Sequence, residues 1–168
     1  MVTATLATDA RALVATVPDP ELPVVTIEDL GVLRDVWVED DGHVVVEITP
    51  TYSGCPAMDA IRADVLARLR GHGFDDAEVR LVLAPAWTTD WITDAGRAAL
   101  REFGIAPPHP VDHATPARHA VALTLSVRCP HCGSPDTREV SRFGSTACKS
   151  LWTCRACLEP FDHVKALR

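Results

Sequence analysis

At 168 residues the chain is long enough for one domain with a small appendage, or for two small domains. Its apolar fraction of 47% is that of a globular protein, and no run approaches the ~18 apolar residues needed to span a bilayer, which excludes a membrane helix. The net charge of −7 is uneven: residues 120–168 hold seven Lys/Arg against four Asp/Glu, and the acidic remainder argues against nucleic acid as a partner.

The first predicted element is a short amphipathic helix over Leu6 to Val17, with Leu6, Ala10, Leu13, Val14 and Val17 at helical spacing. Pro18 and Pro20 end it, and Asp19-Pro20-Glu21-Leu22-Pro23 follows as a rigid turn. Gly31 to Val38 reads as a strand, Asp40-Asp41-Gly42 as a hairpin turn, and His43 to Thr49 as the return strand. Pro56 to Arg70 is the strongest helix, with a stripe of Ala57, Ile61, Val65 and Leu69. Ala77 to Leu83 is a third strand. Thr89 or Asp90 can cap a last helix over Trp91 to Phe103, which Gly104 ends. Trp87 and Trp91, four apart, are expected to cover the sheet.

The expected body is therefore αββαβα, an α+β fold with helices packed on a small mixed sheet, over residues 1–104. Residues 105–120, rich in proline and carrying His109 and His113, read as a linker. A zinc ribbon over 121–168 completes the chain, with Val121 to Val127 as its first strand.

The ribbon rests on two matched knuckles, Cys129-Pro130-His131-Cys132 and Cys154-Arg155-Ala156-Cys157, with 21 residues between them. A two-residue gap lets one tight turn aim two thiolates at one ion, and a second turn completes a tetrahedral S₄ site. Zinc in a structural role is the expected occupant, and a rubredoxin-type iron site uses the same ligands. Two disulfides are the competing reading. No signal peptide opens the chain, so cytoplasmic, reduced thiols are expected instead.

A fifth cysteine, Cys55, stands between the second strand and the strong helix, in Thr49-Pro50-Thr51-Tyr52-Ser53-Gly54-Cys55-Pro56. If Pro56 is the first helical residue, Cys55 is the N-cap, and the helix terminus should lower its pKa toward the thiolate. Thr49, Thr51, Tyr52 and Ser53 supply hydroxyls nearby. No motif ties His43 or His72 to this thiol as a base, so metal or cluster handling is favoured over nucleophilic catalysis. The alternative is an inert structural cysteine. The sixth, Cys148, is either a second functional thiol acidified by Lys149 or a small buried residue.

Three segments, Asp19 to Pro23, Asp29-Leu30-Gly31-Val32-Leu33 and Thr51 to Pro56, resemble the iron–sulfur cluster assembly domain shared by SufT-type proteins and cytosolic cluster-targeting factors. Adding Ala84 to Ile92, Phe143 to Lys149 and Glu159-Pro160-Phe161-Asp162, nearly the whole chain is similar to the PaaD family, the D component of bacterial phenylacetyl-CoA epoxidase systems. The resemblance implies a cytoplasmic accessory or maturation component without independent catalytic activity. It would assist insertion of iron or an iron–sulfur cluster into the oxygenase and reductase. Cys55 would handle the cluster, Asp19 and Glu21 would be its neighbours across the site, and Thr51 and Cys148 would be further candidates. The resemblance also admits a transient iron–sulfur cluster at Cys55 and a homodimer. A structural adaptor subunit with no role in metal delivery is the alternative. Neither a Glu-x-x-His pair for a di-iron site nor a Gly-rich dinucleotide fingerprint is present in the sequence.

Overall fold

The computed structural model describes residues 2–52, 54–108 and 127–166. The chain divides into two compact units, Met1–Gly96 and Arg97–Arg168.

In the first unit, helix α1 (Val2–Val14) buries Ala10 and Val14 completely. Strands β1 (Leu33–Val38) and β2 (Val44–Ile48) form an antiparallel hairpin whose turn uses Gly42 at φ +92°. Helix α2 (Ala57–Arg70) then carries the chain over to β3 (Ala77–Leu81), which lies parallel to β2. The sheet order is β1-β2-β3. As its central strand, β2 is apolar on both faces: Val44, Val45, Val46 and Ile48 are fully buried. The predicted stripe of Ala57, Ile61, Val65 and Leu69 is the buried face of α2. Helix α1 packs on β1 and α2, and α2 packs on β3.

The continuous helix predicted over Trp91 to Phe103 is broken in two. A single 3₁₀ turn covers Thr89–Trp91, with the Thr88 hydroxyl accepting the Asp90 N–H. Helix α3 (Asp94–Glu102) starts after Thr93, whose hydroxyl accepts the Gly96 N–H at 3.0 Å. The interruption comes from Asp29. Its backbone oxygen accepts the Thr93 N–H at 2.8 Å, and its carboxylate accepts the Thr93 hydroxyl at 2.9 Å. Those bonds hold Thr93 out of the helix as its cap.

The segments singled out in the sequence meet here. The Trp87 indole N–H donates to the Leu30 carbonyl at 2.8 Å, so Trp87 is buried as expected. Trp91 is only half-buried, and the Arg34 guanidinium lies over its ring. Gly31 has φ +69°, and a Cβ there would fall 2.5 Å from Trp91 Cβ, so only glycine permits the approach.

The second unit is a four-stranded sheet of order β4-β7-β6-β5. Strands β5 (Thr137–Ser141), β6 (Lys149–Cys154) and β7 (Pro160–Val164) are antiparallel neighbours, and β4 (Ile105–Ala106) pairs in parallel with β7. The linker was expected to begin at residue 105. Ile105 and Ala106 instead belong to this sheet: both pair with β7, and Ala106 is part of its core. That core comprises Ala106, Val127, Cys129, Cys154 and Phe161, with Trp152 and Cys157 packed against it. His109, His113, the predicted strand from Val121 except for Val127, and Ser53 lie outside the described residues. Among the described residues no helix is long and apolar enough to cross a membrane.

Candidate metal centre and thiol site

The two knuckles fold alike. In each, the N–H of the first cysteine donates to a carbonyl five residues on, Cys129 to Ser134 and Cys154 to Glu159, both at 3.0 Å. In each, the residue after the second cysteine is left-handed: Gly133 at φ +74° and Leu158 at φ +66°. The turns bring all four sulfurs within 4.8 Å of one another, with Cys129 Sγ 3.7 Å from Cys157 Sγ and Cys132 Sγ 3.6 Å from Cys154 Sγ. Zinc–thiolate bonds of ~2.3 Å in a tetrahedron hold neighbouring sulfurs about 3.8 Å apart, so the residues fit the ion.

Their acidities show why an ion is needed. The N–H groups of Cys157 and Ala156 lower Cys154 to about 7. Cys157 is favoured as thiolate by the Glu159 N–H, yet burial and the other sulfurs push it up to about 12. With Cys154 ionised, a second thiolate at Cys157 is disfavoured, and a divalent cation would compensate both. Zinc bound here would organise the ribbon.

Cys55 lies in the first unit at the entrance to α2. The N-cap is Pro56, not Cys55, and its backbone is already helical at φ −69°, ψ −17°. The Ala57 N–H at the helix terminus and the Thr51 side chain still act to lower its pKa. They are outweighed by burial, and the negative charges of Glu21 and Asp19 act in the same sense as burial. The thiol pKa is therefore raised above 9.0, the reverse of the sequence expectation. Helix-terminus acidification presumes a solvated sulfur, and Cys55 is buried.

The rigid turn before the sheet positions the two carboxylates. Asp19, itself buried, accepts the N–H groups of Glu21 and Leu22 at 2.9 and 2.8 Å, and its own N–H donates to the Val25 carbonyl. Thr51, Glu21 and Asp19 are all near enough to influence the ionisation of Cys55. The Thr49 hydroxyl is buried with no hydrogen-bond partner among the described residues.

Cys148 belongs to the second unit, where its sulfur lies 3.0 Å from the Thr146 hydroxyl. The cation expected to acidify it is engaged elsewhere: Lys149 is buried, and its ammonium lies 3.6 Å from the Asp162 carboxylate. Sequence reasoning singled out the segment opening on Asp29 but missed this residue's role: its carboxylate accepts from the Thr26 N–H and hydroxyl as well as from the Thr93 hydroxyl. Its signal was the Thr26-x-x-Asp29 spacing of a side-chain-closed turn.

Comparison with known proteins separates the same two parts. A family model described as "Iron-sulfur cluster assembly protein" matches residues 8–81, and one described as "PaaD zinc beta ribbon domain" matches residues 113–165. An Escherichia coli K12 protein, provisionally named as the D component of 1,2-phenylacetyl-CoA epoxidase, is 47% identical over 93% of this chain and 90% of its own length. The chain belongs to the PaaD family.

Within this PaaD-family chain, the body is the part shared more widely. The Fe-S protein maturation auxiliary factor SufT of Staphylococcus aureus USA300 is 36% identical over 49% of the chain and 93% of its own length. The crystal structure of a domain of unknown function, DUF59, from Bacillus anthracis superposes with a TM-score of 0.55 at 29% identity, covering 60% of this chain and 95% of that one.

Proposed function

We propose that the protein is a maturation factor of a multicomponent phenylacetyl-CoA epoxidase. In this reading it assists insertion of iron or an iron–sulfur cluster into the reductase and oxygenase components, with Cys55 as the transient ligand. The observation that carries the proposal is the surroundings of Cys55: a buried thiol whose ionisation is opposed by burial and by the charges of Glu21 and Asp19 and favoured by the Ala57 N–H and Thr51. An empty site of this kind keeps its sulfur protonated and unreactive toward electrophiles. An arriving iron cation reverses the balance. The carboxylates attract it, and the metal stabilises the thiolate, whose proton is released to solvent.

Cys55 is the one cysteine before residue 97, whereas an iron–sulfur cluster has about four cysteine ligands. The body therefore contributes one thiolate per chain. The remaining ligands come from a second copy, from the client or from small thiols, which suits a donor that must let its cargo go.

Anaerobic reconstitution of wild type and Cys55→Ser, followed by transfer to the apo-reductase, tests the reading. Cys55→Ser is expected to fold but to transfer no cluster. Wild-type transfer from that variant removes Cys55 from the mechanism. A second reading, a structural adaptor, draws support from Val140, Phe143 and Leu158 of the ribbon, which are 51%, 72% and 77% exposed. It predicts that oxygenase and reductase already loaded with metal still need the protein in stoichiometric amount for turnover.

A further inference from the structure

The body has a recess of about 380 Å³ whose lining includes Arg11, Glu28, Gly31, Arg34, Trp91 and Thr93. That volume is at the lower end of ordinary small-molecule sites. Its two cations differ in an informative way. Arg11 is committed: Nη2 donates to Glu28 at 2.9 Å, and Nη1 lies 4.0 Å from Asp35. Arg34 is not. Its Cζ lies 3.7 Å from the centroid of the Trp91 ring, and no described residue accepts a hydrogen bond from its guanidinium or pairs with its charge.

Stacking occupies the face of a guanidinium and leaves its in-plane N–H donors unused. Those donors form a planar fork that fits two oxygens of one anion. Here the fork is held before any ligand arrives. The Trp91 backbone rests on Gly31, where a Cβ would clash, and the following Thr93 is tied to Asp29 through its N–H and hydroxyl. A fixed aromatic platform under a partly buried guanidinium lowers the ordering cost of binding. Glu28 is engaged by Arg11, which leaves Arg34 as the lining cation with no carboxylate among the described residues to neutralise it.

We infer that Arg34, stacked on Trp91, anchors a binding site for an oxyanion, a carboxylate or a phosphate, separate in its chemistry from the thiol at Cys55. The inference does not depend on the function proposed above.

The test is a titration of the full chain with inorganic phosphate and with free glutamate, at ionic strength held constant with chloride. The Trp91 indole N–H and Arg34 Nε–H resonances report binding. Both are expected to shift and saturate, with affinity falling about tenfold in Arg34→Gln, the loss of one forked ion pair. Arg34→Lys, which keeps the charge and loses the fork, should also bind more weakly. Arg80→Gln should bind as wild type, since Arg80 sits 5.6 Å over a different ring, Trp37, and pairs with Glu78. A glutamate-rich peptide that binds more tightly than either small anion makes the ligand a protein side chain. Phosphate binding more tightly than the peptide makes it a free small molecule. No saturable shift, or undiminished affinity in a folded Arg34→Gln, overturns the inference. If Arg34→Gln does not fold, undiminished affinity in Arg34→Lys overturns it.

Discussion

The two units hold themselves together by different means. The body has a carbon interior: Val14, Ile27, Val32, Val44, Val45, Val46, Ile48, Ile61, Val65 and Leu69 are all fully buried. The ribbon's buried cluster has five members, and two of them, Cys129 and Cys154, are candidate metal ligands. Apolar burial at ~25 cal/mol per Å² can sustain the first interior and is too scarce to sustain the second. The thiols divide the same way. In the ribbon, four sulfurs crowd one point that fits an ion. In the body, a single buried sulfur is kept protonated by burial and by the charges of Glu21 and Asp19.

The sharpest way to break this comparison is to remove the ribbon's metal. Cys154→Ser, or exhaustive chelation, should take zinc from about one per chain to none. The ribbon should then unfold, since structural zinc in such modules is worth roughly 10–16 kcal/mol. Metal analysis with limited proteolysis checks this: cleavage should spread through the ribbon and spare the body. A ribbon that stays protected without metal would show that its carbon core suffices.

The converse substitution is Ile61→Ala, which empties a fully buried position on α2. It should cost about 2–5 kcal/mol in denaturant unfolding of the body while zinc content stays unchanged. Loss of zinc as well would mean that the two units fold as one.

A smaller effect separates the two kinds of thiol. Alkylation rate against pH should place Cys55 above the ordinary 9.0, and Glu21→Gln should bring it down by removing a nearby negative charge. The linkage has a definite sign. Protonated Cys55 adds stability that is fully present below the unfolded thiol value and is lost as pH rises through the raised folded value. A wild-type Cys55 that ionises at or below 9.0 contradicts the burial argument.

The smallest expected effect belongs to His43, whose pKa is raised above 6.5, chiefly by its hydrogen bond to Asp76 at 2.8 Å. Its contribution is present below the unfolded value and fades as pH climbs through the raised one. The urea midpoint should therefore drop slightly between about pH 6 and 8. His43→Gln should flatten that slope, and an unchanged slope would assign it to another group.

Much of this architecture was legible beforehand, and the failures share a cause. The stripe of α2, the hairpin around Gly42 and the paired knuckles are local patterns with a fixed period or spacing, so the sequence alone displays them. The position of Cys55 before α2 was legible for the same reason. Its acidity was not, because that depends on burial and on Asp19 and Glu21, which are more than thirty residues away along the chain. Lys149 misled in the same way: its sequence neighbour is Cys148, while its ammonium lies beside Asp162. The break before α3 is set by Asp29, more than sixty residues earlier.

Strand β4 has a practical consequence for anyone cutting this chain. Its two residues cover one side of β7 through a parallel pairing with Asp162 and His163. The zinc-ribbon family match begins only at residue 113, so a fragment started there would omit β4. The freed edge of β7 would offer unpaired N–H and C=O groups to any other extended chain, and such edges seed intermolecular pairing. A soluble ribbon fragment should therefore begin no later than Gly104, whose φ of +85° turns the chain into β4.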